Sequence, residues 1–167
     1  MKRKYAGKIL AAVMAVSLMV PATGVGVLAE NKETTITYTV SEAYEWSVPA
    51  TIEFTSSKKT VTHQAESGVK VTSCLIGAGK VLNIKIPSGA TFQIKDNEGS
   101  GNNAMTYKVY KGTSTSDTEL SAGSIVLSVS SGQTDSTAIT YVLQDNPAYA
   151  GSYKGTLTYT SSVDNSI

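Results

Sequence analysis

Period-two alternation, restarted every few residues by a turn cluster, is the feature that most limits what this chain can fold into. In VLNIKIP, Leu82, Ile84 and Ile86 share one face while Asn83 and Lys85 share the other; in MTYKVY, Met105, Tyr107 and Val109 oppose Thr106 and Lys108. Successive side chains of an extended backbone point to opposite sides, so this pattern predicts strands with one buried and one wet face. The same reading covers Thr34 to Val40, Tyr44 to Val48, Ile52 to Thr55, Val69 to Leu75, Thr91 to Lys95, Ser124 to Val129, Ala138 to Leu143 and Ser152 to Thr160. Thr, Ser, Val and Tyr dominate these runs and suit a pleated, half-buried surface. Between them lie ESGVK, IGAGK, IPSGA, DNEGSGNN, LSAGS, SSGQTDS and DNPAYAGS. In such clusters Gly supplies positive φ and Asn, Asp or Ser bond the nearby backbone. Beyond the N-terminal region no segment longer than ten residues carries a helical apolar period. The expectation is an all-β immunoglobulin-like antiparallel β-sandwich, with a closed β-barrel as the competing architecture.

The first residues follow a different logic. Lys2, Arg3, Lys4 and Lys8 form a basic stretch, and Ile9 to Val20 is an uncharged apolar run of 12 residues ended by Pro21. That run is short of the roughly 20 residues of a membrane span, and Val27 and Ala29 supply the small residues of a cleavage site. Residues 1–29 therefore match a secretory signal peptide, with residues 30–167 as a single domain of 138 residues. Removing the leader takes away four of the 14 basic residues and none of the 13 acidic ones, so the remaining charge is −3 rather than +1. A mildly acidic domain without a basic run has no electrostatic reason to bind nucleic acid or anionic lipid. Neither nucleic acid nor membrane insertion after cleavage is expected. Cys74 is the only cysteine, which excludes an internal disulfide, and no Cys stands at the leader junction to accept a lipid. SSVDNSI carries no apolar stop-transfer run and no LPxTG-like sorting sequence. A secreted or surface-held extracellular protein is expected, attached by non-covalent contact if at all.

The glycine- and tyrosine-punctuated run YAGSYKGTLTYT, Tyr149 to Thr160, poses the question of a ligand cradle. A phosphate loop needs GxxxxGK, then Ser or Thr, then a helix, and neither spacing nor helix is present. Tyr153, Gly155, Leu157 and Tyr159 alternate with Lys154, Thr156, Thr158 and Thr160. That is the pattern of a closing strand, entered through the Asn146-Pro147 turn, with a glycine where a neighbour comes close.

The opening TTITYTVSEAYEWSVPATIEFTSS and the ending YAGSYKGTLTYTSS resemble those of small exported, adhesin-like surface proteins of Gram-positive gut bacteria. There a TYTV-type strand leads through an aromatic stretch into an IPA- or VPA-containing strand, and an AGTY-G-T-x-x-F/Y strand closes an Ig-like sandwich. The resemblance covers both ends of the domain and implies a non-catalytic surface or secreted interaction protein. Some surface proteins of this general architecture form a Lys to Asn isopeptide cross-link, but alternation points Lys85 and Lys154 outward, which argues against one here.

Trp46 in YEWSVPA shares its parity with Tyr44 and Val48. It is read as a Trp packed across the sandwich, against an exposed aromatic platform that stacks on a sugar ring. The candidate binding residues of such a platform are Trp46, Tyr44, Tyr110 and Tyr149, with Tyr38 and Tyr107 as further contributors.

Catalytic readings find little support. His63, the only histidine, sits in the polar stretch KKTVTHQAES and reads as solvent-facing, with no HExxH or second His to hold a metal. Cys74 in a β-run without a family signature reads as a half-buried structural thiol, and no G-x-S-x-G elbow occurs. Asp96, Glu98 and Ser100 before Gly101 loosely echo a calcium loop, yet Tyr107 stands at position twelve where a bidentate Glu belongs. No catalytic residue, metal or cofactor is assigned. Three functions stay open: an adhesin-like module recognising a glycan or a surface or matrix protein, a self-assembling pilin-like subunit that donates a strand from NKETTITYTV, and a sandwich hydrolase with two close carboxylates.

Overall fold

A computed structural model describes residues 35–96 and 103–166; the leader expected over residues 1–29 lies outside them. The chain divides into two units, Met1–Tyr38 and Thr39–Ile167. The first contributes only residues 35–38 to the described structure. The second is the β domain.

Strands form where apolar and polar side chains alternate between turn clusters. In chain order they are β1 (Ala43–Ser47), β2 (Thr60–His63), β3 (Val69–Leu75), β4 (Lys80–Lys85), β5 (Gln93–Asp96), β6 (Ala104–Lys111), β7 (Thr118–Leu120), β8 (Ile125–Ser130), β9 (Asp135–Thr137), β10 (Ile139–Leu143), β11 (Tyr153–Lys154) and β12 (Thr160–Asn165). All pairings are antiparallel, and they build three sheets. One has the order β1-β3-β9, one β12-β4-β8, and one β11-β5-β6-β10-β2 with β7 also on β6. The fold is an all-β antiparallel sandwich, and each of these sheets ends in edge strands instead of closing on itself as a barrel would.

The inner faces pool into one core that includes Val69, Val71, Leu82, Ile84, Val109, Val126, Ile139 and Tyr141. Two bulges adjust which residues reach it. Between β1 and β3 the register shifts so that Thr72 is the extra residue, with Glu45 paired to Ser73 and Trp46 to Val71. An added residue reverses the parity of the strand beyond it. Val69 and Val71 point inward before the bulge; after it Cys74 is buried and Leu75 is exposed. A second shift, between β4 and β8, makes Val126 the extra residue, so Val126 and Leu127 are both buried.

Several expected elements differ. Thr35 to Glu42 forms no strand, and Ile52 to Thr55 forms none. The run expected as one strand from Ser152 to Thr160 holds only β11 and the first residue of β12. The strand that completes the β4 edge is Thr160–Asn165, in a stretch whose polar composition disguises it as a tail. It explains why Asn83, expected on a wet face, is buried. With β12 on one side and β8 on the other, Asn83 donates to Asp164 Oδ2 (2.7 Å) and accepts from Ser128 Oγ (2.5 Å). A polar row flanked on both sides is satisfied internally instead of by water.

Candidate functional site

The expected strand Ile52 to Thr55 and the part of the expected Ser152 to Thr160 strand just beyond β11 lie together along one cleft. Its lining comes from residues 49–56, which follow β1, and from residues 146–147 and 149–157, which lead into and past β11. Lys59, Ile94 of β5, Met105 and Tyr107 of β6, and Tyr141 and Leu143 of β10 complete it, and its volume is about 1110 Å³.

Strand-like alternation persists in residues 51–55 and 156–160. Ile52 and Phe54 are half-buried between exposed Thr51, Glu53 and Thr55; Leu157 and Tyr159 are half-buried between exposed Thr156, Thr158 and Thr160. All four inward side chains pack against the core. Yet among the described residues no sheet pairing involves 49–56 or 155–159, and the backbone hydrogen bonds of the turns and loops include none from 49–54 or 155–159. Backbone donors and acceptors are almost always paired when they leave water. Two extended stretches of unpaired backbone beside an apolar floor are therefore a template for another strand.

The packing around the cleft is well defined. Tyr107 meets Phe54 at 6.3 Å and Phe92 edge-on at 5.9 Å. At its base the hydroxyls of Tyr141 and Tyr159 lie 2.9 Å apart. Burial and the neighbouring Tyr159 push the Tyr141 hydroxyl pKa far up, and burial, partly offset by the bond to Tyr141, pushes Tyr159 up to about 12. Both stay neutral and serve as structural hydrogen-bonding groups. Gly155 is needed where it stands, because a Cβ there would collide with the Gln93 carbonyl oxygen. The 146–157 segment is anchored by Lys59 Nζ, which donates to Asn146 Oδ1, and by Tyr153 Oη, which donates to the Tyr149 carbonyl (3.1 Å). Beside it Asp145 accepts from Thr106 N (2.6 Å) and Thr106 Oγ1 (2.7 Å), bonds that lower its pKa.

The candidate aromatic residues are distributed differently. Tyr149 is exposed and lines the cleft. Trp46 and Tyr44 stand on β1, where Trp46 packs half-buried against the core and Tyr44 is 39% exposed. Tyr110 on β6 is buried, as is Tyr107. These two are unavailable for stacking on a sugar, because burial has consumed their faces. Tyr38 is 87% exposed.

His63 departs from its expected solvent-facing position. β2 places it beside Ile139 of β10, half-buried, edge-on to Tyr141 at 6.1 Å, with its Nε2 buried and unpartnered. Cys74 is buried in β3 with its Sγ directed at the Val129 carbonyl (3.9 Å), and burial raises its pKa. Each has its own neighbour, and no hydrogen bond joins them. Glu98, Ser100 and Gly101 of the calcium-like loop lie outside the described residues, while Tyr107 is a core residue of β6. Among the described residues no group of three or more His, Cys, Asp or Glu is placed to hold a metal ion. Lys85 forms an ion pair with Asp164 at 2.7 Å, on the face away from the core.

Against known proteins, the chain matches no family model, no curated protein and no solved structure. The case for function therefore rests on the cleft. Sequence reasoning found its walls as strands and missed that they form a site. The alternation of Ile52 and Phe54, and of Leu157 and Tyr159, reports which side faces the core and carries no information about the backbone neighbours.

Proposed function

We propose that this chain is an exported, adhesin-like, non-catalytic binding module whose ligand is an extended polypeptide strand taken up in the cleft. The supporting observation is the pair of segments, residues 49–54 and 155–157, that line an apolar floor and have no backbone partner among the described residues. A bound strand would gain main-chain hydrogen bonds from these walls, and its alternate side chains would enter the apolar space, the division of labour of β-strand addition. A glycan platform fits less well, since Tyr107 and Tyr110 are buried and Trp46 is committed to the core.

Fluorescence anisotropy of residues 30–167 against labelled peptides of alternating Thr and Val, with scrambled peptides and a glycan panel in parallel, tests this reading. Saturable binding of the alternating peptides in the micromolar range, about −8 kcal/mol, is the expected result. Leu157→Asp, which puts a charge on the wall, is expected to weaken it at least about tenfold. Glycan binding with no peptide binding would refute the proposal.

A further inference from the structure

The cleft lacks one strand, and the chain carries one that is unused. Residues 35–40, TITYTV, repeat the alternation of a half-buried strand, with Ile36, Tyr38 and Val40 on one face and threonines on the other. They form no strand, and these three apolar side chains are 81%, 87% and 53% exposed. The segment holds no charge, no proline and no glycine. An exposed stretch of that composition invites pairing with another chain unless it has a destination.

We propose that residues 35–40 of one copy of this chain are the strand that fills the cleft of a second copy, so that the protein assembles head to tail. This rests on the strand-binding reading of the cleft and names its ligand. Three features match donor to acceptor. Six extended residues span about 20 Å, the same reach as the six residues 49–54 on one wall, with residues 155–157 on the other. The donor's apolar face suits a floor of Ile94, Met105, Tyr107 and Leu143. Its threonine face suits the side left toward water. Donor and acceptor are different surfaces, each used once per copy, so the contact propagates as an open filament where the two ends do not meet, whereas reciprocal exchange would close it as a swapped dimer.

The test uses residues 30–167 and two variants: Ile36→Asp with Tyr38→Asp, which spoils the donor, and Leu157→Asp, which spoils the acceptor. Light scattering after size exclusion is expected to show a concentration-dependent ladder for the parent chain and monomers for each variant. An equimolar mixture of the two variants is expected to stop at a dimer, because only one donor and one acceptor remain in it. A parent chain that stays monomeric at every concentration, including one whose residues 35–40 occupy its own cleft, would overturn the inference. If Leu157→Asp loses its cooperative melt, a labelled Thr34–Glu42 peptide titrated into the donor-spoiled variant replaces the mixing arm. Binding on the order of a hundredfold tighter than its doubly Asp-substituted counterpart supports the proposal. A variant that takes up alternating Thr and Val peptides but refuses the Thr34–Glu42 peptide defeats this inference and leaves the strand-binding function standing. Refusal of every extended peptide defeats both.

Discussion

Tyr141→Phe isolates the hydrogen bond at the base of the cleft. Tyr141 is 1% exposed and its hydroxyl lies 2.9 Å from that of Tyr159, the side chain that ties the unpaired 155–159 segment to the core. Removing one oxygen leaves the ring packing intact and deprives the Tyr159 hydroxyl of its partner. A lost neutral hydrogen bond, with one hydroxyl left poorly satisfied, costs about 1 to 2 kcal/mol. For a domain of this size each kcal/mol moves the midpoint by about 3 to 5 °C, so a fall in Tm of roughly 3 to 10 °C is expected by calorimetry. Tyr159→Phe should cost a similar amount, and the double variant clearly less than both single costs together, because the second substitution removes a group already unpartnered. A single variant within about 0.3 kcal/mol of the parent in urea titrations, or an additive double, would refute the claim that this bond holds the segment. The same pair predicts an alkaline limb. Burial raises Tyr159 to about 12 from an unfolded value near 10, so the folded state holds the proton more tightly. Its contribution is fully present below about pH 10 and is lost as pH rises toward 12. Tyrosinate absorbance should therefore appear together with unfolding, and the stability of Tyr159→Phe should fall less steeply over that window.

Three further outcomes are expected. Asp164 is held at about 2 by hydrogen bonds from Lys85, Asn83 and Ser162, below the ordinary carboxylate value. Its stabilisation is thus present above about pH 4 and lost as pH falls toward 2; urea midpoints should drop across that window in the parent and less in Asp164→Asn. The Cys74 thiol, buried beside the Val129 carbonyl, should react with thiol reagents only as fast as the domain opens, which a comparison of labelling rates in water and in denaturant checks. Gly155→Ala puts a methyl group against the Gln93 carbonyl and is expected to cost about 1 to 3 kcal/mol in urea titrations while loosening the β11–β5 contact.

Much of the fold is legible in the alternation alone. Leu82, Ile84 and Ile86 on and just after β4, and Met105, Tyr107 and Val109 on β6, face the core as their spacing predicts. Other elements are hidden for identifiable reasons. β2 and β12 are polar, TVTH and TSSVDN, and they form because the more apolar strands β10 and β4 offer them an edge. Two bulges, at Thr72 and Val126, reverse the parity within β3 and β8, which no fixed period anticipates. The buried unpartnered Nε2 of His63 follows from β2 docking on β10, a contact between residues far apart in the chain.

Side-chain alternation is a local property of extended backbone, so the sequence by itself determined that the chain is all-β and, wherever no bulge intervenes, which faces of its strands turn inward. Hydrogen-bond pairing requires a neighbour delivered from elsewhere in the chain, and only the tertiary structure decided which segments received one. Residues 43–47 found β3 and became a sheet edge; residues 49–54 and 155–157, with the same pattern, found no partner among the described residues and line a cleft. A strand-like pattern therefore reports extended backbone with one inward face, and says nothing of whether a neighbour strand will be there to pair it.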